Sequence, residues 1–227
     1  MELKGRIAAF LGDSITEGAG LADRVTCVGR YDNILARECG FAKVYNHGLG
    51  GTRIAHQISP TVICPKNDLN FCGRAHFIED DADLIVVFGG INDYLFGDAP
   101  FGKIGDTTHD TFCGAVYYLM NFLRTRHPGA TVVFMTPTHS SFRGFDDLLP
   151  SPTPKKKPCA QPVLGYVNAM KETAKLFDIP VLDLYHDFGI DSSKESDRRE
   201  YAPDGLHLNE KGHAVLAARL KEFLLAL

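Results

Sequence analysis

Short apolar runs, each closed by a turn signal, alternate along this chain with segments of helical period, and that alternation restricts the fold more than any other feature. The runs are Ile7–Leu11, Lys43–Asn46, Leu84–Phe88, Thr131–Met135 and Ile179–Leu184. Their length and β-branched content mark buried strands rather than helices. Leu84–Phe88 is unbroken, as in a parallel strand covered on both faces. Between the runs, Tyr31, Ile34, Leu35 and Cys39 repeat at i, i+3, i+4 and i+8 and stop at Gly40. Phe112, Val116, Leu119, Met120 and Leu123 form a second helix face that ends at Pro128-Gly129, and Val163, Tyr166, Val167, Met170, Ala174 and Phe177 form a third. A closing helix carries Leu216, Leu220, Phe223, Leu224 and Leu227 on one side, with Asn209 placed to cap it. Strand and helix in alternation imply an α/β fold, a parallel sheet with right-handed crossovers and helices on both faces. The 227 residues fit one domain over 1–227.

In such a sheet the loops at the strands' carboxyl ends gather at one edge. The first run ends in Gly12-Asp13-Ser14-Ile15-Thr16-Glu17-Gly18, which puts a lone serine at a turn bracketed by glycines. Ser14 reads as a nucleophile or, with Glu17 three residues on, as the cap of a helix. The second run enters Asn46-His47-Gly48-Leu49-Gly50-Gly51-Thr52, a turn rich in free backbone N–H groups. It lacks both GxGxxG and the Walker lysine, so a nucleotide site is disfavoured. The third run ends in Gly89-Gly90-Ile91-Asn92-Asp93.

Residues 59 to 81 read as loop with at most one short helix, and Tyr94 to Asp110 as a long loop that walls the substrate pocket. Residues 139 to 162 read as a polar loop in which Lys155-Lys156-Lys157 are solvated. Before the last helix, Asp204-Gly205-Leu206-His207 sets a carboxylate three residues from an imidazole around a glycine turn, so the acid can hold Nδ1–H while the ring serves as a base. His56 and His213 have no such partner nearby in sequence and read as exposed or structural.

A net charge of -4 argues against a nucleic-acid partner. No apolar stretch approaches ~18 residues and no leader-like segment opens the chain, so a soluble cytoplasmic protein without a membrane partner is expected. The six cysteines form no CxxC pair and are expected to be reduced, although Cys64 and Cys72 are near enough in sequence to close a loop. Neither they nor the histidines have tight ligand spacing, so no metal is expected. The oligomeric state is not indicated.

Taken in order, Gly12-Asp13-Ser14-Ile15, Asn46 to Thr52, Gly90-Ile91-Asn92-Asp93 and Asp204-Gly205-Leu206-His207 resemble the four blocks of the SGNH/GDSL hydrolase family. Thr16 stands where G-x-S-x-G would need its second glycine, which argues against a nucleophile elbow. The resemblance implies a flavodoxin-like three-layer α/β/α sandwich with a five-stranded parallel sheet. It also implies Ser14 as nucleophile, His207 as base, Asp204 as its orienter, and an oxyanion hole made by the Ser14 and Gly51 N–H groups with the Asn92 amide. Gly48 and Gly50 compete with Gly51, and the family's spacing favours Gly51. The activity implied is a cofactor-free serine esterase acting on a small carboxylic ester, such as an acetyl ester on a carbohydrate. A thioesterase, a lysophospholipase or a non-catalytic binding protein on the same site are the alternatives. The polar loops suit a small acyl group on a polar leaving group, with Tyr94, Phe96 and Phe101 among the rings available for stacking.

Overall fold

A computed structural model of the protein describes residues 1–60, 64–142 and 161–227. The sheet consists of β1 (Ile7–Gly12), β2 (Lys43–Gly48), β3 (Leu84–Phe88), β4 (Thr131–Met135) and β5 (Val181–Leu182), all parallel, in the order β2-β1-β3-β4-β5. This is the flavodoxin-like order, in which the chain reverses direction across the sheet beside β1. The helices are α1 (Ser14–Glu17), α2 (Tyr31–Cys39), α3 (Phe71–Arg74), α4 (Ile91–Leu95), α5 (Phe112–Arg126), α6 (Val163–Lys175), α7 (Leu184–Asp187), α8 (Glu195–Tyr201) and α9 (Glu210–Ala226).

Alternation along each strand divides the core into two layers. Ala9, Leu11, Ile85, Val87, Val132 and Phe134 face α3, α5 and α6, whereas Ala8, Phe10, Leu84, Val86, Val133 and Met135 face α2 and α9. β3 is buried at every residue. Ile85, which has no exposed surface, therefore contributes about 2–5 kcal/mol, the usual loss on truncating such a side chain to alanine.

Several elements differ from the sequence-based expectation. β2 runs two residues past Asn46, because Gly48 pairs with Gly12 and lets the chain pass close to α1; a Cβ there would lie 2.2 Å from Glu17 N. β5 spans only Val181–Leu182 instead of Ile179–Leu184: Pro180 has no N–H to donate, and Asp183 caps α7 by accepting from His186 N. Tyr94 and Leu95 belong to α4, so the long loop begins at Phe96. In place of at most one short helix, residues 65–77 contain 3₁₀ turns at Pro65–Asp68 and Ala75–Phe77 flanking α3. Leu227 follows α9 and is exposed, outside the apolar face that Leu216, Leu220 and Leu224 form. The lysines at 155–157 and residues 61–63 lie outside the described residues.

Candidate active site

The serine turn depends on two local devices. Gly12 closes β1 where a Cβ would meet Thr16 Oγ1 at 2.0 Å, so only glycine lets the following turn fold back on the strand. Asp13, rather than Ser14, is the N-cap: its Oδ1 accepts from Ile15 N at 3.1 Å. Burial drives the Asp13 carboxyl up to about 6, against the Ile15 bond and the nearby His207 and Arg74 charges. Ser14 is thereby left as the first residue of α1 with its hydroxyl free for another partner. Glu17 makes no capping box either, because its Oε2 accepts from Gly50 N at 3.1 Å in the neighbouring loop.

That partner is His207. Its Nε2 lies 2.9 Å from Ser14 Oγ, and its Nδ1 lies 2.5 Å from Asp204 Oδ2. The other Asp204 oxygen accepts from Leu206 N at 2.9 Å and His207 N at 2.8 Å, so one carboxylate shapes the turn and orients the ring. Burial opposes the charge on Asp204, but the His207 ring and these donors outweigh it and hold the carboxyl below its ordinary value. Gly205 takes φ +87°, and its carbonyl accepts from Ser140 Oγ (2.9 Å), Ser141 N (3.1 Å) and Ser192 Oγ (3.0 Å). The three serines pin the acid–base turn to the loops after β4 and before α8. Sequence reasoning missed them, since a serine in a polar loop has no local signature.

In the glycine turn, hydrogen bonding distinguishes the competing amides. Gly48 N donates to Asn46 Oδ1 (2.9 Å), Leu49 N to Gly12 O (3.1 Å), Gly50 N to Glu17 Oε2 (3.1 Å) and Thr52 N to Leu49 O (3.4 Å). The Gly51 N–H has no acceptor among the described residues. Gly51 has φ +75°, and a Cβ there would run into the Asn67 side chain at 2.7 Å. A Cβ on Gly50 would lie 3.5 Å from Ser14 Cβ, so this turn abuts the serine. Asn92, 2% exposed in the first turn of α4, donates through Nδ2 to Thr52 O at 3.1 Å, beside Gly51. Asp93 accepts from Ile54 N and Ala55 N, both at 2.9 Å, and ties the same loop to α4. Burial pushes the Asp93 carboxyl up to about 7 despite these bonds and the Arg53 charge.

Of the rings expected to wall the pocket, Phe96 is the one that reaches this region. It meets Phe142 edge-on at 6.2 Å, and Phe142 meets the His207 ring at 5.9 Å. Tyr94 and Phe101 are partly buried and pack on Tyr166 against the core. His213 is buried, with Nδ1 accepting from Tyr31 N at 3.4 Å, and His56 is exposed. Cys27, Cys39, Cys64, Cys72 and Cys113 are free thiols, so Cys64 and Cys72 are not joined. Cys159 lies outside the described residues. Among the described residues no group of three or more His, Cys, Asp or Glu side chains is placed to hold a metal ion, and no helix is long and apolar enough to cross a membrane.

The fold recurs in solved structures. One is 33% identical with a TM-score of 0.84, covering 100% of this chain and 99% of the other. A protein from Lactobacillus plantarum is 31% identical with a TM-score of 0.80, covering 98% of each chain. A carbohydrate acetylesterase family member from Sinorhizobium meliloti, 18% identical, superposes with a TM-score of 0.64 over 96% of this chain and 97% of its own. None of the curated proteins matches. The GDSL-like lipase/acylhydrolase family matches residues 10–215, a span that takes in the serine turn, the glycine turn, Asn92 and the Asp204–His207 turn. The chain belongs to the GDSL-like lipase/acylhydrolase family.

Proposed function

We propose that the protein is a serine esterase that removes a small acyl group, such as acetyl, from a polar alcohol such as a carbohydrate. The observation that carries this reading is the continuous hydrogen-bonded line Asp204–His207–Ser14, with bonds of 2.5 and 2.9 Å. Asp204 holds Nδ1–H and so leaves Nε2 unprotonated toward the serine. His207 takes the Ser14 proton as Oγ attacks the ester carbonyl. The developing oxyanion is received by the Ser14 N–H at the start of α1, the Gly51 N–H and the second N–H of the Asn92 amide, donors held in place before the reaction begins. His207 then protonates the leaving alcohol, an acyl-serine forms, and water activated by the same ring releases the acid.

The small polar substrate is supported by the surroundings of Ser14. Glu17, Asn67 and Lys66 border the glycine turn, with Lys66 Nζ 3.9 Å from Glu17 Oε1, and Phe142 is the aromatic side chain beside His207. The fold's likeness to the carbohydrate acetylesterase family member points the same way.

A fluorophosphonate probe together with an acyl series tests the reading. Wild type should label on Ser14 and Ser14→Ala should not. For p-nitrophenyl esters kcat/KM should peak between acetyl and butyryl, since a long apolar groove would instead add ~0.8 kcal/mol per buried methylene. Labelling that survives Ser14→Ala would overturn the nucleophile, and a steady rise through octanoyl would replace the carbohydrate ester by a lipid or thioester.

A further inference from the structure

Arg74 closes α3, and its partly buried side chain lies under the site with its guanidinium 4.8 Å above the Phe71 ring. Nη2 donates to Gly12 O at 3.0 Å and to Thr52 Oγ1 at 2.8 Å, Nη1 donates to His47 O, and Nε donates to Leu69 O at 2.9 Å. Gly12 lies two residues before Ser14, His47 is the penultimate residue of the strand that leads into the glycine turn, and Thr52 follows Gly51. Thr52 in turn passes its own proton to Leu49 O at 2.6 Å and accepts Asn92 Nδ2 on its carbonyl at 3.1 Å. One planar fork thus touches both segments that carry the oxyanion donors, and through Thr52 it reaches the third.

Every acceptor on the guanidinium is neutral, and among the described residues no carboxylate lies within 4.0 Å of it. Burial lowers the group to about 10, which leaves it charged at neutral pH. The Asp13 and Glu17 carboxylates act on it from beyond bonding distance and partly offset that lowering.

We propose that Arg74 is a positioning residue of the oxyanion hole, setting the Ser14, Gly51 and Asn92 donors through Gly12, His47 and Thr52. This rests on the serine-esterase reading above. The role is selective for the transition state, so it should appear in kcat and leave KM alone.

Arg74→Lys keeps the charge but loses the fork, and should lower kcat for acetyl ester ~10-fold; Arg74→Met loses both and should lower it ~10²-fold, the scale of one oxyanion donor. In both, KM should stay within about twofold of wild type, and the inhibition constant of a trifluoromethyl ketone, which forms a tetrahedral oxyanion adduct with the serine, should rise in proportion to the fall in kcat/KM. A folded Arg74→Lys with wild-type kcat, a change confined to KM, or unaltered ketone affinity would each overturn the proposal. So would an Arg74→Lys protein that no longer folds, since that outcome assigns the residue a structural role; if only Arg74→Met fails to fold, the lysine variant decides. Ser14→Ala is assayed alongside. If it retains hydrolysis the serine-esterase reading falls, whereas an inactive Ser14→Ala beside a fully active Arg74→Lys removes only the present proposal.

Discussion

Two Asp-x-x-His turns, Asp183–His186 after β5 and Asp204–His207 before α9, stand at the same edge of the sheet, and their local chemistry is nearly the same. In each, Oδ1 accepts the histidine's own N–H, at 3.3 Å in the first and 2.8 Å in the second, while Oδ2 meets Nδ1, at 2.9 and 2.5 Å. In each, burial opposes ionisation of the aspartate and hydrogen bonds to the imidazole help reverse it, so both carboxyls titrate below their ordinary value. What differs is the direction in which each pair faces. Asp183 is the buried member, 11% exposed and bonded to Lys171 Nζ and Thr136 Oγ1, and the ring of His186 is 51% exposed. In the other turn the ring is the sheltered member at 18%, with its far nitrogen on Ser14. An acid–imidazole pair is thus a local structure that aspartate readily makes. A serine at the far nitrogen is what gives one of them a proton to take.

Three measurements would break or sharpen this contrast. The largest effect separates the rings: His207→Ala should reduce kcat/KM on an acetyl ester by ~10⁴, whereas His186→Ala should stay within about twofold. Comparable losses from the two variants would end the distinction. Next comes His213, a third histidine, which is buried without a bonded carboxylate. Burial drives it down to about 4, whereas the unfolded ring titrates near ~6.5. Between those values the unfolded state binds more protons, so the His213 contribution to stability declines as pH falls, by up to ~3 kcal/mol. Asp13 and Asp93, raised to about 6 and about 7, act in the opposite sense over much of this window. The effect is therefore read as the difference between wild type and His213→Gln in denaturant titrations at pH 7.5 and 4.5. The variant should lose less stability on acidification than wild type, and parallel curves would contradict the assignment.

The smallest effect concerns the acids. Asp183→Asn should destabilise the protein by ~1–2 kcal/mol at neutral pH, because Lys171 loses its charged partner, without altering kcat. Since its folded value is depressed, the Asp183 contribution is present above ~3.9 and disappears as pH falls through the folded pKa. The melting temperatures of Asp183→Asn and wild type should then converge on acidification. A fall in kcat would mean that this second turn takes part in the chemistry.

Much of the architecture was legible because it is written in short-range patterns. Leu84–Phe88 and Thr131–Met135 occupy the residues their composition marks, and Tyr31–Cys39 ends at Gly40 in the left-handed region, as the stop signal requires. The errors fall where a tertiary partner overrides such a pattern. Pairing with β1 carries β2 through His47 and Gly48, and the Asp183 cap cuts β5 short.

The candidate site divides in the same way. A glycine at 12 for a close approach and an aspartate three residues before a histidine are relations within four residues. Backbone sterics and local hydrogen bonding decide them, and the sequence by itself determined them. The bond from His207 to Ser14 spans 193 residues and that from Arg74 to Gly12 spans 62. The Gly50 amide bonds Glu17, 33 residues before it. No local pattern encodes those choices. Each polar group bonds whichever partner the packed sheet brings within about 3 Å, and only the tertiary structure decides which one that is.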